Sequence, residues 1–319
     1  MFDVLAFDMI TMVKLEFIPL VCQFVHSSRQ ALSTLAVSDT NSSSIYLYDG
    51  RTLNIKEPIA VLSKLGHPSP VSIISYAPKF DLAISIDQSS IINYWSPNQI
   101  DQLPVEVQFK SKLDTDLFDL VKKKLIPMTM ELNSTGEQFA LLAKNTTQRK
   151  LFLFDTLKGK ILKIFDEHSD IYKELHERLQ SKKDEQEEKK NQINILNNVE
   201  YSRRLTIEKD LEKNESIYSL INLQFDSSST FLFYSTLYGI KMLNLRNNSI
   251  RHFFGTTENA RFIRLALYQA LSSSNQELNS TILFATAYKK NRFYLFTKNN
   301  PLGRIEFRRR MISFENSFR

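Results

Sequence analysis

Residues Val71 to Tyr76 alternate apolar and polar side chains and stop at Ala77-Pro78. A second run, Leu82-Ala83-Ile84-Ser85-Ile86, leads into the polar turn Asp87-Gln88-Ser89-Ser90 and a third run, Ile91-Ile92-Asn93-Tyr94-Trp95. Short apolar runs separated by tight polar turns predict strands of an antiparallel meander. A fourth strand is expected over Val105 to Phe109.

The third run has counterparts along the chain. They are Ile45 to Asp49, Leu151 to Asp155, Ile240 to Asn244 and Phe293 to Thr297, each a short apolar strand closing on a small or polar residue. Further strands are expected upstream of them, at Ala31 to Ser38, Met128 to Leu132, Leu220 to Phe225 and Ile282 to Ala287. The closing residues recur at a spacing that fits one propeller blade per roughly 40–45 residues once long loops are allowed for. A lone four-stranded blade cannot cover both of its faces, and radial stacking does so. The pattern therefore predicts an all-β propeller region over residues 1–300 with about five blades. Met1 to Leu5 reads as the closing strand of an earlier blade, so the chain is expected to begin inside a propeller and to leave sheet faces uncovered.

One gap, between Asp155 and Asn244, is wider than the rest, and a charged helical insertion over about residues 166–215 accounts for it. Ile171, Leu175 and Leu179 stand four apart and are expected to line one helical face. Ser181 to Lys190 is almost wholly polar, and helix is expected again from Val199 to Lys213. The insertion reads as a decoration that packs on the propeller or serves as a docking element.

Composition narrows the chemistry. With 42% hydrophobic residues a sizeable core can be buried. The single cysteine, Cys22, excludes an internal disulfide and a cysteine-based zinc site, and is expected to be a small buried apolar residue in a reducing compartment. The N-terminus has Asp3 and Asp8 where a secretory leader needs basic residues, and no apolar run is long enough to span a bilayer. A net charge of +6 is too mild to indicate nucleic-acid binding, and part of it lies in Arg308-Arg309-Arg310 of a basic tail, residues 301–319, expected to lack structure. The seven glycines are too dispersed for a phosphate-cradling loop, and there is no Gly-x-Ser-x-Gly elbow. His26, His67, His168, His176 and His252 make no pair at the spacing of a helical metal site. Asp114 and Asp116 read as surface salt-bridging or capping carboxylates. No catalytic, cofactor-binding or metal-ligating residue is assigned, and no cofactor or small-molecule substrate is expected.

Gly66-His67 ahead of the clearest repeat and Trp95 at its end resemble the Gly-His to Trp-Asp frame of WD repeats. That resemblance implies a structural hydrogen-bonded network of His67, Ser85, Asp87 and Trp95, although Ser96 stands where the frame has Asp and the turn after Asp87 is longer. More specifically, the chain resembles the WD-repeat region of nuclear, spliceosome-associated cyclophilin-type peptidyl-prolyl isomerases. The segments that carry this are Phe7 to Ile10, Met12 to Leu15, Ile45 to Arg51, Leu113 to Phe118, Phe165 to Glu167, Arg203-Arg204, Glu208 to Lys213, Arg264 to Gln269 and Lys290 to Lys298. The family implies further repeats upstream and a cyclophilin domain downstream, and Leu302 to Arg319 matches neither.

The resemblance implies a protein-interaction scaffold whose partners are proteins, spliceosomal components among them, with nucleic acid reached only indirectly and no membrane. It implies a nuclear location, with cytoplasmic presence also compatible. Isomerisation of an X-Pro bond must overcome about 18–20 kcal/mol, which takes a preorganised pocket, so this chain alone is expected to lack the family's activity. Two other readings stay open. One is a portion of an active prolyl isomerase whose cyclophilin domain lies outside this sequence. The other is a chromatin- or RNA-associated adaptor using the basic tail.

Overall fold

The computed structural model describes residues 2–3, 6–9, 12, 14–26, 33–50, 57–98, 102–181, 196–269, 281–297 and 309–313. The chain divides into two compact units, residues 1–146 with 152–164 and residues 147–151 with 165–319. Antiparallel sheets dominate both. A small hairpin pairs β1 (Phe2–Asp3) with β2 (Asp8–Met9). Then come five meander sheets, in each of which the order across the sheet is the order along the chain.

The first sheet is β3 (Pro19–Phe24), β4 (Thr34–Asp39), β5 (Ile45–Asp49) and β6 (Ala60–Leu62). The second is β7 (Val71–Ala77), β8 (Leu82–Asp87) and β9 (Ile92–Trp95). The third is β10 (Ile126–Leu132), β11 (Gln138–Lys144), β12 (Arg149–Asp155) and β13 (Lys160–Asp166), and the short helix α1 (Asp119–Lys122) precedes it. Helices α2 (Ser169–Ser181), α3 (Asn198–Glu212) and α4 (Glu215–Tyr218) follow. The fourth sheet is β14 (Leu223–Phe225), β15 (Phe231–Thr236), β16 (Gly239–Asn244) and β17 (Ser249–Phe254). The fifth is β18 (Phe262–Gln269), β19 (Thr281–Ala287), β20 (Arg292–Thr297) and β21 (Arg309–Ser313). These are propeller-type blades. The five closing strands read from the sequence are β5, β9, β12, β16 and β20, and each is the third strand of its sheet.

Burial follows position. Every residue of β8 is buried, whereas the outermost strand β13 alternates between exposed and half-buried. A middle strand is covered on both faces and so reads as a continuous apolar run with small polar residues, while an edge strand keeps the alternation. In the first unit, Leu82, Ile84 and Ile86 point from β8 into a cluster with Phe139, Leu141, Phe152 and Phe154. Phe139 and Phe154 stack there with ring centroids 4.7 Å apart. From the other side of the second sheet, Val71, Ile74, Ala83 and Trp95 meet Ala36, Ile45, Leu47 and Leu62 of the first. In the second unit, Phe233 and Ile240 pack on Phe262, Leu265, Leu283 and Tyr294. The turns between first and second strands share one plan in three sheets. A residue with positive φ (Asp81, Gly136 or Ser229) donates its N–H to the carbonyl three residues earlier.

Five expectations need correction or placement. Val105 to Phe109 is not a strand: the Gln108 N–H donates to the Leu157 carbonyl rather than to β9, and Phe109 is buried in the core cluster beside Tyr94. On α2 the face spaced from Ile171 packs only in part: Ile171 is 40% exposed, Leu175 packs against the buried cluster, and the Leu179 side chain lies outside what the structure describes. The buried face is one residue on, at Tyr172 and His176 with Leu175 beside them, because those two side chains carry hydrogen-bond partners to satisfy. Cys22 is exposed rather than buried, on the same outer face of β3 as Leu20 and Phe24. Residues 309–313 of the tail form β21, paired antiparallel with β20, while the remainder of residues 301–319 and the polar stretch 182–195 lie outside the described residues. Of Met1 to Leu5, Phe2–Asp3 forms β1 and the rest lies outside them too. Among the described residues no helix is long and apolar enough to cross a membrane.

The exposure of Cys22 gives a direct check. A water-soluble thiol reagent should label the native chain at one site per molecule without denaturant. Labelling only after unfolding would contradict the orientation of β3.

Candidate functional site

His67, Ser85, Asp87 and Trp95 meet in the first unit. Alternation along β8 turns Ser85 and Asp87 to the face opposite Ile84 and Ile86, where Trp95 at the end of β9 arrives. His67 Nε2 lies 2.7 Å from the Ser85 hydroxyl, His67 Nδ1 lies 3.2 Å from Asp87 Oδ2, and Trp95 Nε1 donates to the Ser85 hydroxyl at 3.2 Å. Valence orders the protons. The indole can only donate, so Ser85 accepts from it and donates to His67 Nε2; His67 Nδ1–H then donates to the Asp87 carboxylate. Asp87 Oδ1 also accepts the Ile91 N–H at 2.9 Å, which fixes the turn after β8.

Serine, histidine and aspartate joined in this order have the connectivity of a hydrolytic triad. Burial decides against that chemistry. Ser85 and Asp87 are fully buried, His67 is 7% exposed, and the serine lone pair that would be aimed at a substrate holds the indole. The network ties the loop before β7 to the second sheet. Asp116, by contrast, lies at the surface, accepting from the Ile161 N–H at 2.9 Å and from Lys160 at 3.3 Å.

A second polar constellation, without a role in the sequence reading, lies in the second unit. α3 begins at Asn197, whose side chain accepts the Glu200 N–H at 2.7 Å and caps the helix. Its buried residues are Tyr201, Arg204, Glu208 and Leu211, one stripe at helical spacing. Two of the four are charged. Glu208 accepts from Arg149 Nη1 at 3.0 Å, from Arg261 Nη2 at 3.1 Å and from Arg261 Nε. Burial alone would push the Glu208 carboxyl up, but the Arg261 and Arg149 guanidiniums outweigh it and hold the group below the usual glutamate range. Nearby, Glu167 accepts from Tyr234 at 2.6 Å, from Lys241 at 2.7 Å and from Tyr172. Burial and then the Glu167 charge raise both tyrosines well above their ordinary range, so they stay neutral donors. Glu167, Arg204 and Glu208 stand in segments that carry the family resemblance. For Arg204 and Glu208 the signal was the three- and four-residue spacing of the α3 stripe, which a hydrophobicity pattern does not register.

These groups hold one another and leave no free nucleophile or base. Among the described residues no group of three or more His, Cys, Asp or Glu could hold a metal ion.

No family model matches the chain. Relatives do. It is 34% identical to peptidyl-prolyl cis-trans isomerase cyp15 of Rhizopus delemar, over 95% of this chain and 48% of that protein. It is 32% identical to human peptidylprolyl isomerase domain and WD repeat-containing protein 1, over 94% of this chain and 46% of the relative. It is 32% identical to peptidyl-prolyl cis-trans isomerase CYP71 of Arabidopsis thaliana, over 94% and 47% respectively. The chain thus spans about half the length of the relatives it matches. Among solved structures it is similar to the β-propeller domain of Cps50 (Swd1) from Myceliophteria thermophila. That match has 11% identity and a TM-score of 0.43, covering 90% of this chain and 85% of the other.

Three measurements test these networks. Single His67→Ala and Ser85→Ala substitutions should each destabilise by about 1–3 kcal/mol, and the double variant should lose less than the sum, by a coupling of about 0.5–3 kcal/mol; additive losses would mean the two do not interact. Because the Glu208 carboxyl is depressed in the fold, its contribution is complete above its ordinary value of 4.5 and is lost as pH falls below that toward the folded value. Urea unfolding across acid pH should therefore show a steeper loss of stability in the wild-type chain than in Glu208→Gln. Glu208→Ala at neutral pH should cost about 3–5 kcal/mol, since two buried guanidiniums lose their counter-charge.

Proposed function

We propose that this chain, similar over nearly its whole length to isomerases that contain WD repeats, is a protein-interaction scaffold that works in the nucleus with spliceosomal components. The observation that carries the reading is the coincidence of two facts. Blade-type meanders run from β3 to β21, and the similarity to relatives named for a peptidylprolyl isomerase domain and WD repeats extends over 94% of the chain. Blades present loops and strand ends at the two ends of each sheet, and such surfaces suit protein and peptide recognition. The charged and polar groups of the two constellations are partnered chiefly with one another, which fits a scaffold. Nuclear location and spliceosomal partners rest on the family resemblance of the segments quoted above.

A second reading is favoured by the half-length match to the relatives. In it, the scaffold is the anchoring part of a longer prolyl isomerase, and catalysis of X-Pro rotation belongs to a portion outside this chain. Both readings assign the same job to these residues. An adaptor for chromatin or RNA ranks behind them, because it rests on a basic tail most of which lies outside the described residues.

Affinity purification of the tagged chain from nuclear extract tests the assignment. Spliceosomal proteins should co-purify and remain bound after nuclease treatment. Loss of all partners on nuclease treatment, with steep salt dependence, would favour the nucleic-acid adaptor instead. Absence of spliceosomal proteins from the bound fraction would remove the spliceosomal part of the proposal.

A further inference from the structure

The third strand of a meander sheet shows which neighbour each face of that sheet meets. In the first unit, Ile45 and Leu47 of β5 pack onward to the second sheet, and Trp95 of β9 packs back to the first. Tyr94 of β9 packs onward to the third sheet, whose Phe152 and Phe154 pack back. In the second unit, Ile240 of β16 packs onward to the fifth sheet, and Tyr294 of β20 packs back. These sheets thus have an onward face and a backward face, set by alternation along the third strand. First strands lie side by side in such contacts, β3 with β7 and β14 with β18.

The backward face of the first sheet is left open. Cys22, Val37, Tyr46 and Val61 form one row across its four strands. Phe17 stacks on Tyr46 with ring centroids 4.4 Å apart, but the flanks are bare, with Phe24 47% and Val61 46% exposed. The onward face of the fifth sheet is open as well. Ala266, Phe284 and Leu295 form one row there, and Tyr268 beside it is 55% exposed. β19 carries apolar residues on both faces, the pattern of a strand covered on both sides. Charge distinguishes the two faces. Arg264 is exposed on β18 beside Thr286, with no ion pair among the described residues. Glu16 is exposed in the lead-in to β3 and stands near Tyr48 of the backward face, where burial and then the charges of Tyr46 and Glu16 raise the phenol.

We propose that these two faces are the halves of one contact between copies of this chain, the fifth sheet of one copy stacking its onward face on the backward face of the next copy's first sheet. The occupant is a second copy because the faces are of opposite kind, are both apolar and carry opposite charge, so their meeting repeats the sheet-on-sheet packing within each unit. A contact between unlike faces does not close about a two-fold axis, and it propagates from copy to copy. Four strands about 4.8 Å apart and five residues of about 3.3 Å span a face about 15 by 17 Å. That is below the roughly 800 Å2 per partner of a standard stable complex, so association is weak and depends on concentration.

The test is sedimentation of the whole chain from low to several hundred micromolar, with Val61→Lys blocking the backward face and Tyr268→Lys the onward face. Both side chains are exposed, so each variant should keep the wild-type melting temperature. The wild-type chain should form dimers and larger species as concentration rises, and each variant alone should stay monomeric. Their equimolar mixture should form dimers and nothing larger, because one intact face of each kind remains. A wild-type chain that is monomeric throughout, or either variant associating alone, would overturn the proposal. If a variant does not fold, Ala266→Cys on β18 is oxidised at high concentration, where its thiol and Cys22 on β3 of the next copy should give a ladder of linked copies. Linkage confined within single copies, the mark of a chain closing on itself, or no linkage at all, would equally overturn it.

Discussion

Glu208 sits between two guanidiniums with almost no water to share the charge, and much of the second unit is arranged around that fact. Arg149 opens β12, Arg261 immediately precedes β18, and the carboxylate that joins them comes from α3. Burying these ions costs several kcal/mol apiece before any attraction is counted. The arrangement is tolerable because Glu208 accepts from both arginines and Arg261 also donates to the Phe262 carbonyl. Removing one member would leave the others buried and unpaired. That asymmetry gives the insertion a fixed seat, and the Arg204 side chain, one turn earlier on the same stripe, reads the loops beside it.

The two polar constellations solve different problems. In the first unit, His67, Ser85, Asp87 and Trp95 are neutral or singly charged groups placed within one blade and its leading loop, and they tie a loop to a sheet. In the second, the partners are far apart in sequence, and the network ties an insertion to strands that flank it. Neither arrangement leaves its own buried groups facing solvent.

The blades were legible because period-two alternation and apolar runs report on strand burial directly. Ile91 to Trp95 and its four counterparts all landed on the third strand of a sheet for that reason. Legibility failed where packing is not apolar. Val105 to Phe109 looks like a strand because its apolar residues alternate, yet Pro104 and the hydrogen bond from Gln108 to Leu157 send it into a loop that delivers Phe109 to the core. On α2 the apolar spacing of Ile171 and Leu175 was outweighed by the hydrogen-bonding needs of Tyr172 and His176. On α3 the packed stripe is half charged, so a search for an apolar face cannot find it. Cys22 shows the converse limit: a small apolar residue predicts burial only if something covers that face.

The account turns on α3 being an integral part of the second unit rather than an appendage. Native-state hydrogen exchange of the α3 amides from Tyr201 to Leu211, followed against denaturant beside those of β15 and β16, tests this most directly. If α3 is held as described, its amides exchange through the same large opening as the two strands and converge on the same free energy. Exchange of α3 through a separate, much smaller opening, with β15 and β16 still protected, would contradict it.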